Sequence, residues 1–293
     1  GIFTYVLNLN KNLVKKNIKS FWKTTNKKDD DFDSNLFESI EILNPDIIHI
    51  HGLWRKPTRI IRKLNKITKN IIVSPHGMLN IELFNQSKFK KQISMFLFER
   101  RNLEKIKFFH SLNEYESRCI EKFFPFKSSQ VVSTGISIPN GTENNHIFNQ
   151  TQIDIFNNKK IVLYLGRLVS RKGIKELIDA WLNLNKDSSN NNWNLVFAGF
   201  GPLSNLLKKY NQDKDNGISF IGEVHGKEKD FLLNISTAFI LPSNGEGTPI
   251  SALEALAHKT ICLLTDKCNL ENLSNQNISY RIEKNSISIE NNL

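Results

Sequence analysis

Seven residues separate Glu246 from Glu254 in GEGTPISALEALA, where a glycine-bearing loop runs into a helix-periodic apolar stretch. Thr248 is a good N-cap and Pro249 a good first helical residue. At about 100° per residue, Glu254 falls at the edge of the apolar arc of Ile250, Leu253 and Ala257, where a carboxylate needs a partner. A helix N-terminus beside two carboxylates could hold phosphate on its N–H groups and sugar hydroxyls on the carboxylates. Two cations add to this. Arg167 and Lys172 stand in GRLVSRKG, after the apolar run KIVLYL. A planar guanidinium and an ammonium suit a diphosphate, although either could be an ordinary surface charge beside a turn. In the first half, His76 in SPHGM and His51 in HIHGLW each follow an apolar run and precede a glycine. A lone histidine is more often packed than reactive.

These residues need elements to carry them. Apolar runs alternate with helix-periodic segments along the chain, and continuous apolar strands between helices imply parallel sheets covered on both faces. In the first half, a helix is expected over Thr4–Lys16, strands at Ile47–Ile50, IIVS, KFFHS and QVVST, and a long charged helix over Lys88–Lys105. NEYESRCIEKF is a helix with Asn113 as N-cap. The pattern collapses between Pro139 and Asn158, which places the boundary of two Rossmann-like domains, 1–145 and 146–293. It restarts with five strands, KIVLYL, WNLVFA, GISFIG, TAFILPS and TICLLT. Ligands bind outside the carboxyl ends of parallel strands. Four of these strands end in glycine-bearing loops, which carry Gly166, Gly199 with Gly201, Glu223 with Val224, and Glu246 with Gly247. Glycine there allows close approach of the backbone to a ligand. SISIENNL offers no visible closing element.

The chain has 293 residues, 39% hydrophobic and 24% charged, with net charge +11. Disorder is excluded by the regular apolar runs. The charge favours anionic partners. A nucleic-acid partner is not expected, because the Phe residues lie mostly in core-like runs and no binding module appears. Cys119, Cys262 and Cys268 lack metal-finger spacing, which fits a reducing compartment. No run approaches the roughly 18 apolar residues of a membrane span, and the opening reads as an amphipathic helix, so a cytoplasmic protein is expected. SKFKKQISMFLFERRNLEKIK mixes Lys and Arg with Ile93, Met95, Phe96, Leu97 and Phe98. Such a helix could dock on an anionic membrane surface, peripherally at its inner face, or pack between elements with a solvated charged side.

Taken in order, GRLVSRKGIKELIDAW, NLVFAGFGP, FIGEVHGKEKDFLL and FILPSNGEGTPISALEALA resemble the C-terminal domain of family 4 glycosyltransferases. DIIHIHGLW and SPHGMLN resemble segments of their N-terminal domain. The resemblance implies a GT-B fold, in which two Rossmann-like domains face each other across a cleft. It implies retaining transfer of a sugar from a UDP- or GDP-sugar to a hydroxyl of a glycan or lipid-linked acceptor, as in bacterial surface polysaccharide assembly, with no metal and no cofactor. Arg167 and Lys172 match the residues that bind the donor diphosphate, Glu246 one near the donor sugar, and Glu254 one that holds the ribose. Gly199, Gly201 and the Glu223–Val224 stretch match the region around the nucleotide, and His76 a histidine close to donor sugar and acceptor. Gly1 matches the second glycine of a donor-touching loop.

The sequence departs from the family pattern in four places. The strand before Gly1 and the last helices are missing. Lys259 and Ile261 stand where Gly and Pro are usual, and Thr134 where Asn is common. The missing ends keep open an alternative, a catalytically inactive GT-B protein serving as a binding partner or scaffold.

Overall fold

The computed structural model describes residues 2–25, 35–81, 84, 88–136, 148, 156, 159–186, 192–270 and 279–293. It divides into two compact units, Gly1–Thr134 and Gly135–Leu293. The expected boundary at 145/146 and Gly1 itself lie outside the described residues. Both units carry all-parallel sheets, as the continuous apolar strands require.

The N-terminal unit holds β1 (Ile48–His51), β2 (Ile71–Ser74), β3 (Phe108–Ser111) and β4 (Ser129–Val131), in that spatial order. Ile50, Val73 and Phe109 pack with Ile61, Leu64, Leu103 and Ile120 from the helices. Asn113 caps the helix Glu114–Phe123 by accepting the Glu116 N–H. The expected helix over 88–105 is not uniform. Lys88–Ser94 is α-helical, Met95–Glu99 is a π-helical turn, and Arg100–Leu103 is α-helical again. The wide turn coincides with a reversal of polarity. Glu99 is fully buried, accepting the Thr58 hydroxyl at 2.8 Å, while Phe96, Leu97 and Phe98 are exposed. A π turn inside an α-helix often marks a functional site.

The C-terminal unit has β5 (Lys160–Leu165), β6 (Trp193–Ala198), β7 (Ile218–Gly222), β8 (Ala238–Leu241), β9 (Ile261–Leu264) and β10 (Ser279–Arg281). Their spatial order is β10-β9-β8-β5-β6-β7. The chain builds outward from β5 through β7, then returns to the other side of β5 for β8. Neighbours β5 and β8 therefore define a topological switch point, the place where open parallel sheets bind ligands. Tyr164, Phe197 and Phe239 are fully buried at the centre of this core, and each such side chain contributes about 1.5–3 kcal/mol. The end of the chain corrects one expectation. SISIENNL contains a short helix, Ser286–Glu290, capped by Asn285 and packed on the helix Ile174–Leu184 with Ile289 fully buried. Lys284 pairs with Glu176 at 2.8 Å beside it. Cys119, Cys262 and Cys268 are all free and buried.

Candidate functional site

The loop after β5 carries Arg167, Arg171 and Lys172, and the loop after β8 carries Glu246. Because β5 and β8 are neighbours, the two loops meet. Lys172 Nζ lies 2.5 Å from Glu246 Oε1, with the two residues only 8% and 7% exposed. The Arg171 guanidinium is 3.5 Å from the same oxygen and donates to the Gly245 carbonyl. The Ser243 hydroxyl donates to Glu246 Oε1 at 2.5 Å. Asn269 Nδ2 donates to the Glu246 carbonyl at 2.7 Å. One buried carboxylate thus faces two cations, which leaves the cluster with an excess of positive charge at the strand edge. Tyr164, beneath it, donates its hydroxyl to the Arg167 carbonyl at 2.9 Å. Burial and the Glu246 charge push the Tyr164 phenol pKa upward, so it stays a neutral donor.

Glycines fit these loops together. Gly173 has φ +73°, and a Cβ there would lie 2.2 Å from the Pro242 carbonyl oxygen. Cβ atoms at Gly199 and Gly201 would lie 1.9 Å from the Gly166 oxygen and 2.4 Å from the Leu168 oxygen. The loops after β5 and β6 therefore press backbone on backbone, and the Gly199 N–H donates to the Gly222 carbonyl at 2.6 Å. Glycine at 199 and 201 serves loop-on-loop packing.

The two expected cations differ in their surroundings. Arg167 is exposed, and Arg171 rather than Arg167 shares Glu246 with Lys172. Glu254 has the partner that its place on the helix required. Lys229, on the helix Gly226–Ile235, approaches its Oε1 at 2.5 Å. The helix carrying Glu254 is Ile250–Ala257, with Pro249 at the N-cap. That corrects the expected cap by one residue. Pro249 has ψ 97°, an extended conformation, and its carbonyl accepts from Ala252 and Leu253, so Pro249 itself stands at the cap position. Val224 points into the apolar core, whereas Glu223 pairs with His225 at 3.3 Å. Gly247 and Thr248 are half-buried beside the cluster. Arg171, Ser243 and Lys229 were missed from sequence. Arg171 adjoins Lys172 and Ser243 lies three residues before Glu246, but only the strand order makes them neighbours.

The N-terminal unit gathers a second group of polar side chains at the carboxyl edge of its sheet. His76 Nε2 lies 3.0 Å from His51 Nδ1. The Ser74 hydroxyl lies 2.7 Å from His49 Nε2 and 2.9 Å from His110 Nδ1. Burial, and then the neighbouring histidines, push His49 down to about 4 and His76 to about 3, with His51 lowered as well. These rings are neutral at physiological pH. Among the described residues, no group of His, Cys, Asp and Glu has the arrangement of a metal site.

The sequence profile of the "Glycosyl transferases group 1" family matches residues 146–288, which contain all of the cluster around Glu246. The chain is 36% identical over 109 residues to a putative teichuronic acid biosynthesis glycosyltransferase, TuaC, of Bacillus subtilis, covering 37% of this chain and 25% of that protein. It is 27% identical over 222 residues to the processive diacylglycerol alpha-glucosyltransferase of Acholeplasma laidlawii, covering 70% of this chain and 62% of the relative. The matches thus span less than two thirds of either relative. The crystal structure of WaaG, a glycosyltransferase involved in lipopolysaccharide biosynthesis, superposes with a TM-score of 0.70 at 13% identity, covering 99% of this chain and 85% of that one. The profile match over 146–288, just under half of the chain, makes that part similar to the group 1 glycosyl transferases, and the two parallel sheets and the WaaG superposition give the chain a GT-B fold.

Proposed function

We propose that the chain is a retaining glycosyltransferase that moves a hexosyl group from a UDP- or GDP-sugar to a hydroxyl of a glycan or lipid-linked acceptor, in assembly of a bacterial surface polysaccharide or glycolipid. The observation that carries this reading is the buried Lys172–Glu246 contact at the β5/β8 switch point, with Arg171 on the same carboxylate. Related proteins named for teichuronic acid biosynthesis and for glucosyl transfer to diacylglycerol support the substrate class.

In this reading the donor diphosphate lies across Lys172 and Arg167, at the start of the helix Ile174–Leu184. Glu254 takes the ribose hydroxyls, Glu246 faces the donor sugar, and His76 has the role of the family histidine close to donor sugar and acceptor. The bond from the anomeric carbon to the diphosphate oxygen breaks, and a bond to the acceptor oxygen forms on the same face. The acceptor proton passes to the leaving diphosphate. Fixed cations lower the barrier because charge grows on that leaving group. The chain supplies this stabilisation without a metal or a cofactor.

The protein acts in the cytoplasm, peripherally at the inner face of a membrane. No helix among the described residues is long and apolar enough to cross one. Phosphorus NMR of UDP-glucose and GDP-mannose, incubated with the protein, diacylglycerol vesicles and EDTA, tests the reading. Acceptor-dependent release of one nucleoside diphosphate is expected, with an α-linked product. Binding of a nucleotide sugar without release from either donor would favour the non-catalytic scaffold.

A further inference from the structure

We propose that His51 and Glu116 are positioning residues for His76: His51 sets the proton arrangement of its imidazole, and Glu116 fixes the loop that carries it. The functional weight of this pair rests on the reading of His76 as a contact to the transferred sugar.

His76 has φ +54°, a left-handed conformation that a side chain disfavours, and Gly77 follows at φ +76°. Glu116, fully buried, holds this turn with both carboxylate oxygens. Oε1 accepts the Gly77 N–H at 2.5 Å, and Oε2 accepts the Leu112 N–H at 2.8 Å. One bond ties the loop after β2 and the other the loop after β3. Burial raises the Glu116 pKa, and the two amide hydrogen bonds oppose that rise. The backbone of Glu116 is fixed in turn by the Asn113 cap.

The imidazoles are organised by acceptor accounting. His110 Nε2 lies 2.9 Å from the Val132 carbonyl, which only accepts, so His110 carries its proton on Nε2. The Ser74 hydroxyl bridges His110 Nδ1 and His49 Nε2. His49 and His110 are committed to that chain. His51 Nδ1 meets His76 Nε2, and two neutral rings share one proton there, so each fixes the tautomer of the other. The Tyr5 ring stands edge-on to His76 with centroids 5.0 Å apart and restrains its rotation. His76 therefore offers Nδ1 to a ligand.

Long-range proton–nitrogen spectra of the full chain, assigned with His76→Gln, read the tautomer directly. The wild type should show His76 as one neutral tautomer near pH 7. His51→Asn, whose amide mimics the Nδ1 position, should retain it. His51→Leu should give averaged nitrogen shifts, and Glu116→Gln should move both the Gly77 amide and the His76 signals. An unchanged single tautomer in His51→Leu, or unmoved Gly77 and His76 signals in Glu116→Gln, would overturn the proposal. Should His51→Leu fail to fold, His51→Gln takes its place, because its longer amide misses the Nδ1 position. UDP-glucose and GDP-mannose, whose binding is followed by calorimetry, separate this claim from the reading beneath it. A binding-linked shift of His76 Nδ1 is expected, with affinity falling about fivefold in His51→Leu and recovering in His51→Asn. Calorimetric binding without movement of the His76 signals would contradict the sugar contact, whatever the tautomer result.

Discussion

Lys172 and Glu246 form a buried pair, and removing one partner leaves the other charge stranded in a poor dielectric. Lys172→Met should destabilise the protein by about 3 kcal/mol, less if Arg171 swings further onto Glu246. The double variant Lys172→Met/Glu246→Gln should recover part of that loss, with a coupling of about 1–3 kcal/mol in urea titrations. Additive effects would mean that the two residues do not act as a pair. Ligand binding gives this geometry its purpose in our account, since a diphosphate brings negative charge to a site already short of it. At this scale the sequence was informative about residue type. The Glu246–Glu254 spacing and the basic loop at 167–172 were visible. The contact between Lys172 and Glu246, 74 positions apart in sequence, was not. It depends on β8 returning beside β5, and no local pattern encodes a strand order.

At the scale of elements, the loops after β5, β6 and β7 behave as one knitted edge. Gly199→Ala would set a Cβ 1.9 Å from the Gly166 oxygen, where both groups are backbone and neither can yield. It should cost more than about 4 kcal/mol. Gly222 also has positive φ, +83°, but open space around its Cβ position. Gly222→Ala should cost only the conformational strain, about 1–2 kcal/mol. Thermal melts of the two variants decide it, and equal losses would refute the packing explanation. Legibility follows physics here too. The strands β5, β6 and β8 were readable as near-continuous apolar runs because both faces are covered. β10 was not, because SYR is a three-residue edge strand with two exposed positions. The π turn at Met95–Glu99 also left no sequence mark, since it breaks the period of 3.6 on which helix reading relies.

Over the whole molecule, the charge is unevenly divided. Residues 1–134 hold 24 Lys and Arg against 13 Asp and Glu, while residues 135–293 hold 16 of each, so the excess of +11 belongs to the N-terminal unit. Seven Lys and Arg between 55 and 69 are all exposed, and no acidic residue occurs from 47 to 81. Arg59 lies over the Phe98 ring at 5.8 Å, which joins this basic stretch to the exposed ridge of Phe96, Leu97 and Phe98. Phe96 is 81% exposed. Basic side chains beside protruding aromatics suit the headgroup region of an anionic bilayer. The protein should sediment with phosphatidylglycerol vesicles but not phosphatidylcholine vesicles. Phe96→Ser and added salt should each weaken that binding. Equal sedimentation with both lipids, or no effect of Phe96→Ser, would remove the membrane from the account.

The central claim is that the C-terminal unit binds a nucleoside diphosphate sugar through the residues assembled at its switch point. Calorimetry of the full chain against UDP, GDP, ADP and their sugars tests it most directly, with Arg167→Ala and Glu254→Ala alongside, since neither residue lies deep in the core. The account predicts one-to-one binding of a single nucleotide family, weakened about tenfold or more in each variant. Absence of binding by every nucleotide, or binding that both variants leave untouched, would contradict it.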